Sequence, residues 1–366
     1  MRRVLLVSPS ATPGGAERAL VALARRLPEH GWQPSAALLA PGPLQEALEQ
    51  AGCPVELLAA GRFRQLARTA PTVVRLARRA RAADVVLSNM SKGHVYGGAA
   101  ALLAHRPELW WQHGIPSRSR IELAAARVPT SAIVCVGEEA VAAQRLLRPR
   151  RRLVKIHPGT ALDELARSRG AGEAVRRSLG WDGEPVVGIV GRLQPWKGQE
   201  LFQRAAALVA RERPDVRFVV VGGAVLGWEG SYPDDLRRLA GELGIADRVH
   251  FAGHQADPGP WLDMLDVAVH ASVAEPFGLV LVEAMALGTP LVATAGGGPD
   301  EIVEDGRSGL LVEGRSPEGL ARSVRRLLDD PGLAARISVE GVQRARRFSD
   351  EATAAQFAHL LEEVAR

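Results

Sequence analysis

The segment GRLQPWKG, residues 191–198, follows a strand-like apolar run and precedes a helical pattern. Arg192 and Lys197 stand at that junction, where both can reach forward from the strand end. Two cations beside a helix N-terminus suit a diphosphate, because free amides and aligned peptide dipoles add to their charge. A pair of surface cations on a loop is the simpler alternative, and for Arg192 alone it is the better one. Lys197 favours function: with Lys92 and Lys155 it is one of only three lysines in the chain, and it sits between Trp196 and Gly198.

A second segment, EPFGLVLVE, covers 275–283, and the run from Leu279 to Leu287 is apolar except for Glu283. A buried ionised carboxylate is costly unless something hydrogen-bonds to it, so a basic side chain or a ligand must answer it. Pro276 and Gly278 make a turn that starts a helix near Leu279, and the first amides of such a helix are free for an anion. Glu283, one turn in beside Leu279 and Val282, can accept from a ribose diol, as the acid of dinucleotide-binding folds does. Glu275 precedes the turn and belongs near the leaving group or the sugar. The alternative is that each glutamate pairs with a core arginine. His113 closes LWWQH and is singled out by its strand-end position, since a lone histidine is usually structural or exposed. His94, His157 and His270 have no comparable feature, and Trp110 and Trp111 read as core or lining.

The elements that must position these groups alternate along the chain. Short Val-, Leu- and Ile-rich runs at 3–8, 35–39, 54–58, 84–88, 109–112, 132–136 and 153–156 read as strands. So do 186–191, 217–222, 249–252, 266–270, 291–294 and 309–312. The runs are continuous, as in strands buried on both faces, and helical patterns separate them, which implies parallel sheets with right-handed crossovers. The pattern restarts near the middle: VLLVSPSATPGGAERALVALARRL and GEPVVGIVGRLQPWKGQELFQRAAALV have the same order of strand, turn and helix. The class is α/β with two doubly wound domains, 1–165 and 166–349, and a last helix at 350–366 that can return to the first. Ligands of such sheets sit beyond the carboxyl ends of the strands. Gly14, Gly15, Asn89 and His113 are the candidates in the first half. Gly191, Arg192, Gly222, Gly223, Gly253, His254, Ser272 and Thr294 are those in the second.

At 366 residues and 46% hydrophobic content the chain is expected to hold two well-packed domains. No apolar run is long enough to span a bilayer. The opening MRRVLLVSPSATPGGAE reads as a first strand and turn rather than a signal peptide, so a cytoplasmic location is expected. Two cysteines, Cys53 and Cys135, fit reduced core thiols better than a disulfide framework or zinc site. The net charge of +5 permits nucleic acid, a membrane surface or a phosphorylated small molecule as partner, but aromatics are 4% and no basic-aromatic platform is visible, so nucleic acid is not expected. The arginine-rich stretch 61–81, with Arg68, Arg75, Arg78, Arg79 and Arg81, reads first as a solvated helix face. A weak membrane-surface contact at the inner face is its second reading, weakened because Pro71 is expected to interrupt the helix.

Together, GRLQPWKG, EPFGLVLVEAMALGTPLVAT and GGGPDEIV resemble the donor half of retaining GT-B glycosyltransferases of the family 4 group. PGGAER resembles that family's acceptor-side glycine loop, and HPGT at 157–160 a degraded form of its Pro-Asn-Gly element. The resemblance implies two Rossmann-like domains facing across a cleft that holds a nucleotide sugar. It gives Arg192 and Lys197 the diphosphate, Glu283 the ribose, and Glu275 with the amides of Phe277, Gly278 and Leu279 the donor sugar and phosphate. Gly14 and Gly15 would approach the phosphate or acceptor closely, Gly191 opens the diphosphate turn, His113 would hydrogen-bond the donor sugar, and Gly253 and His254 would lie near the base.

The implied activity is hexosyl transfer, as in carbohydrate biosynthesis, from a nucleoside-diphosphate sugar (UDP favoured, GDP next) to a hydroxyl on an unidentified small-molecule, glycan or lipid-linked acceptor. No Asp-x-Asp occurs in the sequence, so neither a metal nor a cofactor is expected, and Arg192 and Lys197 must balance the charge. Front-face attack with retention is preferred over a covalent intermediate, because no nucleophilic acid is evident. A sugar-nucleotide epimerase on the same scaffold and a non-catalytic sugar-nucleotide-binding subunit are the alternatives. A nicotinamide dehydrogenase is disfavoured, because SPSATPGGAE stands where G-x-G-x-x-G would.

Overall fold

The computed structural model describes residues 1–9, 14–60, 66–147, 152–181, 183–224 and 230–366, without the side chains of 66–68. Each expected strand segment forms. In the first sheet these are β1 (Arg2–Ser8), β2 (Trp32–Leu38), β3 (Val55–Leu57), β4 (Val85–Asn89), β5 (Glu108–Gln112), β6 (Ala132–Cys135) and β7 (Arg152–Lys155). They are all parallel, in the order β3-β2-β1-β4-β5-β6-β7. The second sheet holds β8 (Val186–Val190), β9 (Arg217–Val221), β10 (Val249–Gly253), β11 (Val267–His270), β12 (Leu291–Thr294) and β13 (Leu310–Val312). It too is parallel, in the order β10-β9-β8-β11-β12-β13. Strand order reverses beside β1 in one sheet and beside β8 in the other, and a doubly wound sheet opens its ligand crevice at such a switch point.

The chain divides into two compact units, one of residues 1–160 with 348–366 and one of 161–347. In the first, the central strands are buried on both faces, with Val4, Leu6, Val85, Leu87, Leu109 and Trp111 wholly enclosed. The last helix, Asp350–Val364, belongs to this unit. Arg26 Nε donates to Asp350 Oδ2 at 3.0 Å, and the Phe357 ring lies 4.6 Å from that of Trp111. The HPGT segment serves this docking: Thr160 exchanges backbone hydrogen bonds with Phe348 and Asp350 at 3.0 Å each, and Thr353 Oγ1 donates to the His157 carbonyl at 2.9 Å.

The arginine-rich stretch corrects one expectation. A helix runs unbroken over Leu66–Ala80 with Pro71 inside it. Pro71 is the sixth residue, beyond the N–H groups that lack partners at a helix start, so the helix forgoes one i→i−4 hydrogen bond there and continues because its apolar side is buried. Leu76, Ala77 and Ala80 are buried while Arg75, Arg78, Arg79 and Arg81 are exposed, and Arg79 pairs with Glu56. Residues 61–65 of the stretch lie outside the described residues. No helix among the described residues is long and apolar enough to cross a membrane.

The second unit packs the helix Leu279–Leu287 inside, with Leu281 to Ala286 buried in succession. A helix apolar all round is stable only when enclosed, and this one is enclosed with Glu283 in it. Both cysteines are free and buried, and burial pushes each thiol up to about 12.

Candidate functional site

In the second unit, the segment leaving β8 and the segment leaving β11 meet at the carboxyl edge of the sheet. Lys197 Nζ lies 2.6 Å from Glu275 Oε2 and 4.1 Å from the centre of the Trp196 ring. The same carboxylate oxygen is 3.1 Å from His270 Nε2 and 3.1 Å from Ser272 Oγ. Burial opposes ionisation of Glu275, yet the His270 hydrogen bond and the Lys197 charge prevail and hold the carboxyl down at about 2. Backbone bonds fix the approach of the two segments: Val273 N donates to the Trp196 carbonyl at 2.8 Å, and Gly298 N to the Glu275 carbonyl at 2.8 Å.

Gly198 is the residue that lets them meet. Its φ is +77°, and a Cβ there would overlap the Ala271 carbonyl. Gly198→Ala is therefore expected to destabilise the protein by on the order of 3 kcal/mol, combining left-handed strain with backbone overpacking. A urea midpoint equal to that of the wild type would show that the two segments are not wedged together.

Arg192 follows Gly191 at the end of β8, half-buried, and its guanidinium has no ion pair among the described residues. Gln199, itself buried, fixes its backbone by donating to the Arg192 carbonyl at 2.8 Å. Gly278 caps the helix Leu279–Leu287 from the left-handed region, φ +103°, so the chain turns sharply from Glu275 and buried Phe277 into the helix. Glu283 is 3% exposed and already engaged by an interaction within the protein. Gly253 ends β10 and His254 beside it is exposed. The structure thus brings Lys197, Glu275, Phe277, Gly278 and Leu279 to one place, with Gly191 and Arg192 at the neighbouring strand end.

In the first unit, His113 follows β5 and its ring lies 4.3 Å from that of Trp111. Part of the residue reaches the surface, but Nε2 is enclosed and without a hydrogen-bond partner among the described residues. Burial pushes the imidazole down from 6.5 to about 3, so His113 is neutral near pH 7. The unfolded chain takes up this proton near 6.5 and the folded one does not until about 3, so stability is complete above 6.5 and falls as pH drops below it. Between pH 7.5 and 5.0 the loss through this residue is about 2 kcal/mol, and denaturant titrations of His113→Gln should lose that much less than the wild type. An equal loss in both would place the proton elsewhere. Gly14 and Gly15 open the helix Gly15–Arg26, where a Cβ on Gly14 would crowd the Glu17 carboxylate.

Two groupings escaped the sequence reading. Ser91 Oγ donates to Glu122 Oε1 at 2.7 Å and Gln112 Nε2 to its Oε2 at 3.4 Å, beside Met90, whose φ is +62°. Burial raises the Glu122 carboxyl, against those two hydrogen bonds. The other is His270. Its signal was the polar residue ending an otherwise apolar strand, two before Ser272, a spacing that puts both on one face of extended chain.

Comparison with known proteins places this geometry. The model described as glycosyl transferases group 1 matches residues 172–344, and that described as Glycosyltransferase Family 4 matches 13–164. HepE of Anabaena, solved in complex with UDP and glucose, superposes with a TM-score of 0.89 at 30% identity, covering 99% of each chain. This chain belongs to glycosyltransferase family 4. Its two parallel Rossmann-like sheets are those of the GT-B fold. Among similar curated proteins, D-inositol 3-phosphate glycosyltransferase of Thermobispora bispora is 35% identical over 281 residues, 70% of this chain and 65% of that protein. D-inositol 3-phosphate glycosyltransferase 2 of Catenulispora acidiphila is 42% identical over 216 residues, 57% of this chain and 50% of that one. The chain thus spans less than two thirds of the length of these curated relatives.

Proposed function

We propose that this family 4 chain transfers a sugar from a nucleoside-diphosphate sugar to an acceptor hydroxyl, with retention at the anomeric carbon and without a metal. UDP is the favoured nucleotide and GDP the next. The observation that carries the proposal is the meeting of Lys197, Glu275 and the N-terminal end of the helix Leu279–Leu287, next to half-buried Arg192. The UDP and glucose bound to HepE support UDP as the nucleotide. The names of the inositol-phosphate relatives put a polyol phosphate among the acceptors to try.

In this reading Arg192, Lys197 and the helix amides take the diphosphate, Glu283 the ribose diol and Glu275 the sugar hydroxyls. The bond from the anomeric carbon to the phosphate oxygen breaks, and the electron pair leaves with the nucleoside diphosphate. The acceptor oxygen bonds the same face of that carbon and gives its proton to the departing phosphate oxygen. Stabilising the charge that develops on the diphosphate is the main catalytic task. Neutral His113 is suited to an uncharged sugar hydroxyl. A cytoplasmic place of action goes with this reading.

The test is a thermal-shift and product screen of UDP- and GDP-sugars, with and without acceptors that include an inositol phosphate. One donor should raise Tm and yield a glycoside of unchanged anomeric configuration. An epimerised nucleotide sugar formed with no acceptor would point to the epimerase instead, and no response to any donor would end the donor reading.

A further inference from the structure

We propose that His270 is a positioning residue: with Ser272 it holds one oxygen of Glu275, so that the other faces the donor sugar and Lys197 is free to turn to the diphosphate. This rests on the donor reading above and deepens it. All three donors around Glu275 address the same oxygen, Oε2: Lys197 Nζ at 2.6 Å, His270 Nε2 at 3.1 Å and Ser272 Oγ at 3.1 Å. Oε1 has no partner among the described residues and is not among the enclosed, unpartnered atoms. A carboxylate offers lone pairs on both oxygens, so saturating one presents the other.

The arrangement also answers a difficulty in sharing Lys197. A lysine that leaves a buried carboxylate strands a charge, which is strongly unfavourable when nothing replaces it. Here two donors remain. His270 ends β11 with its side chain 6% exposed, and Thr294 Oγ1 steadies the Ser272 carbonyl at 2.8 Å, so both are fixed by the sheet rather than by the lysine. A histidine enclosed at a strand end, with Nδ1 unpartnered among the described residues, is a costly choice for packing alone. It also requires that Nε2 carry the proton, because an unprotonated Nε2 would accept and could not hold the carboxylate.

The test compares His270→Leu and His270→Gln with wild type by calorimetric binding of UDP and of the UDP-sugar found active. His270→Leu should bind UDP within about twofold of wild type, yet lose about tenfold in affinity for the UDP-sugar, the difference expected for one missing hydrogen bond to a charged group. His270→Gln, whose amide nitrogen can take the place of Nε2, should recover most of it. In wild type, nitrogen NMR of labelled histidine should show Nε2 protonated, a result that needs neither variant to fold. A bare Nε2, or a His270→Leu protein with the wild-type ratio of UDP-sugar to UDP affinity, or one that loses both equally, would overturn the inference alone. A wild type that binds no nucleotide sugar would instead overturn the donor reading, and this inference with it.

Discussion

Replacing Lys197 by alanine is expected to lower kcat/KM by about 10²–10³-fold, the usual consequence of deleting one preorganised charge at a leaving group. The fold should survive. The Glu275 carboxylate keeps His270 and Ser272 as donors when the ammonium is gone, and the Trp196 backbone remains tied to Val273. The loss should fall on kcat as well as KM, because the phosphate charge grows as the glycosidic bond breaks. Arginine should not restore the rate, since its wide planar fork replaces a compact point charge in a half-buried slot. Steady-state rates of sugar transfer within about threefold of wild type would remove Lys197 from the chemistry.

Glu275→Gln should be nearly as damaging, about 10²-fold in kcat/KM, and it carries a separate signature in stability. The amide keeps the shape but leaves Lys197 facing a neutral group, with a cost of about 3 kcal/mol for breaking a buried pair. The pH dependence has a definite sign. Glu275 stays ionised in the folded protein down to about 2 but takes up its proton near 4.5 when unfolded. The stabilisation it gives is thus complete above 4.5 and is lost as pH falls towards 2. Acid titrations followed by circular dichroism should show this steep loss in wild type and a shallower one in Glu275→Gln. Parallel curves would mean that the carboxylate is not held down by His270 and Lys197.

Much of the architecture was visible in the residues. Continuous runs such as VVGIV and RFVVV read as strands enclosed on both faces and form them, and the restart at Val186 marks a second sheet. The apolar helix Leu279–Leu287 appeared with its expected ends because Gly278 and Gly288 bracket it in left-handed conformations. The helix through Pro71 was less legible, since proline in a helical run reads as a breaker, whereas here the buried side of Leu76, Ala77 and Ala80 carries the helix past it. In the site, the charged residues at strand ends were legible and their partners were not. Nothing in the sequence says that Lys197 spends its charge on Glu275, 78 residues away, rather than standing free for a ligand. His270 was hidden for a different reason: Glu275 is only five residues on, but nothing in that spacing says the loop folds the carboxylate back onto the ring, and the one signal is a polar residue where an aliphatic one would pack.

The measurement that reaches the centre of this account is a crystal structure of the chain soaked with a nucleoside-diphosphate sugar. The diphosphate should lie within hydrogen-bond distance of the Arg192 guanidinium, the Lys197 ammonium and the backbone amides at Gly278 and Leu279. The sugar should reach Glu275 Oε1 and the ribose Glu283. A diphosphate bound anywhere else, with Lys197 still closed on Glu275, would contradict it.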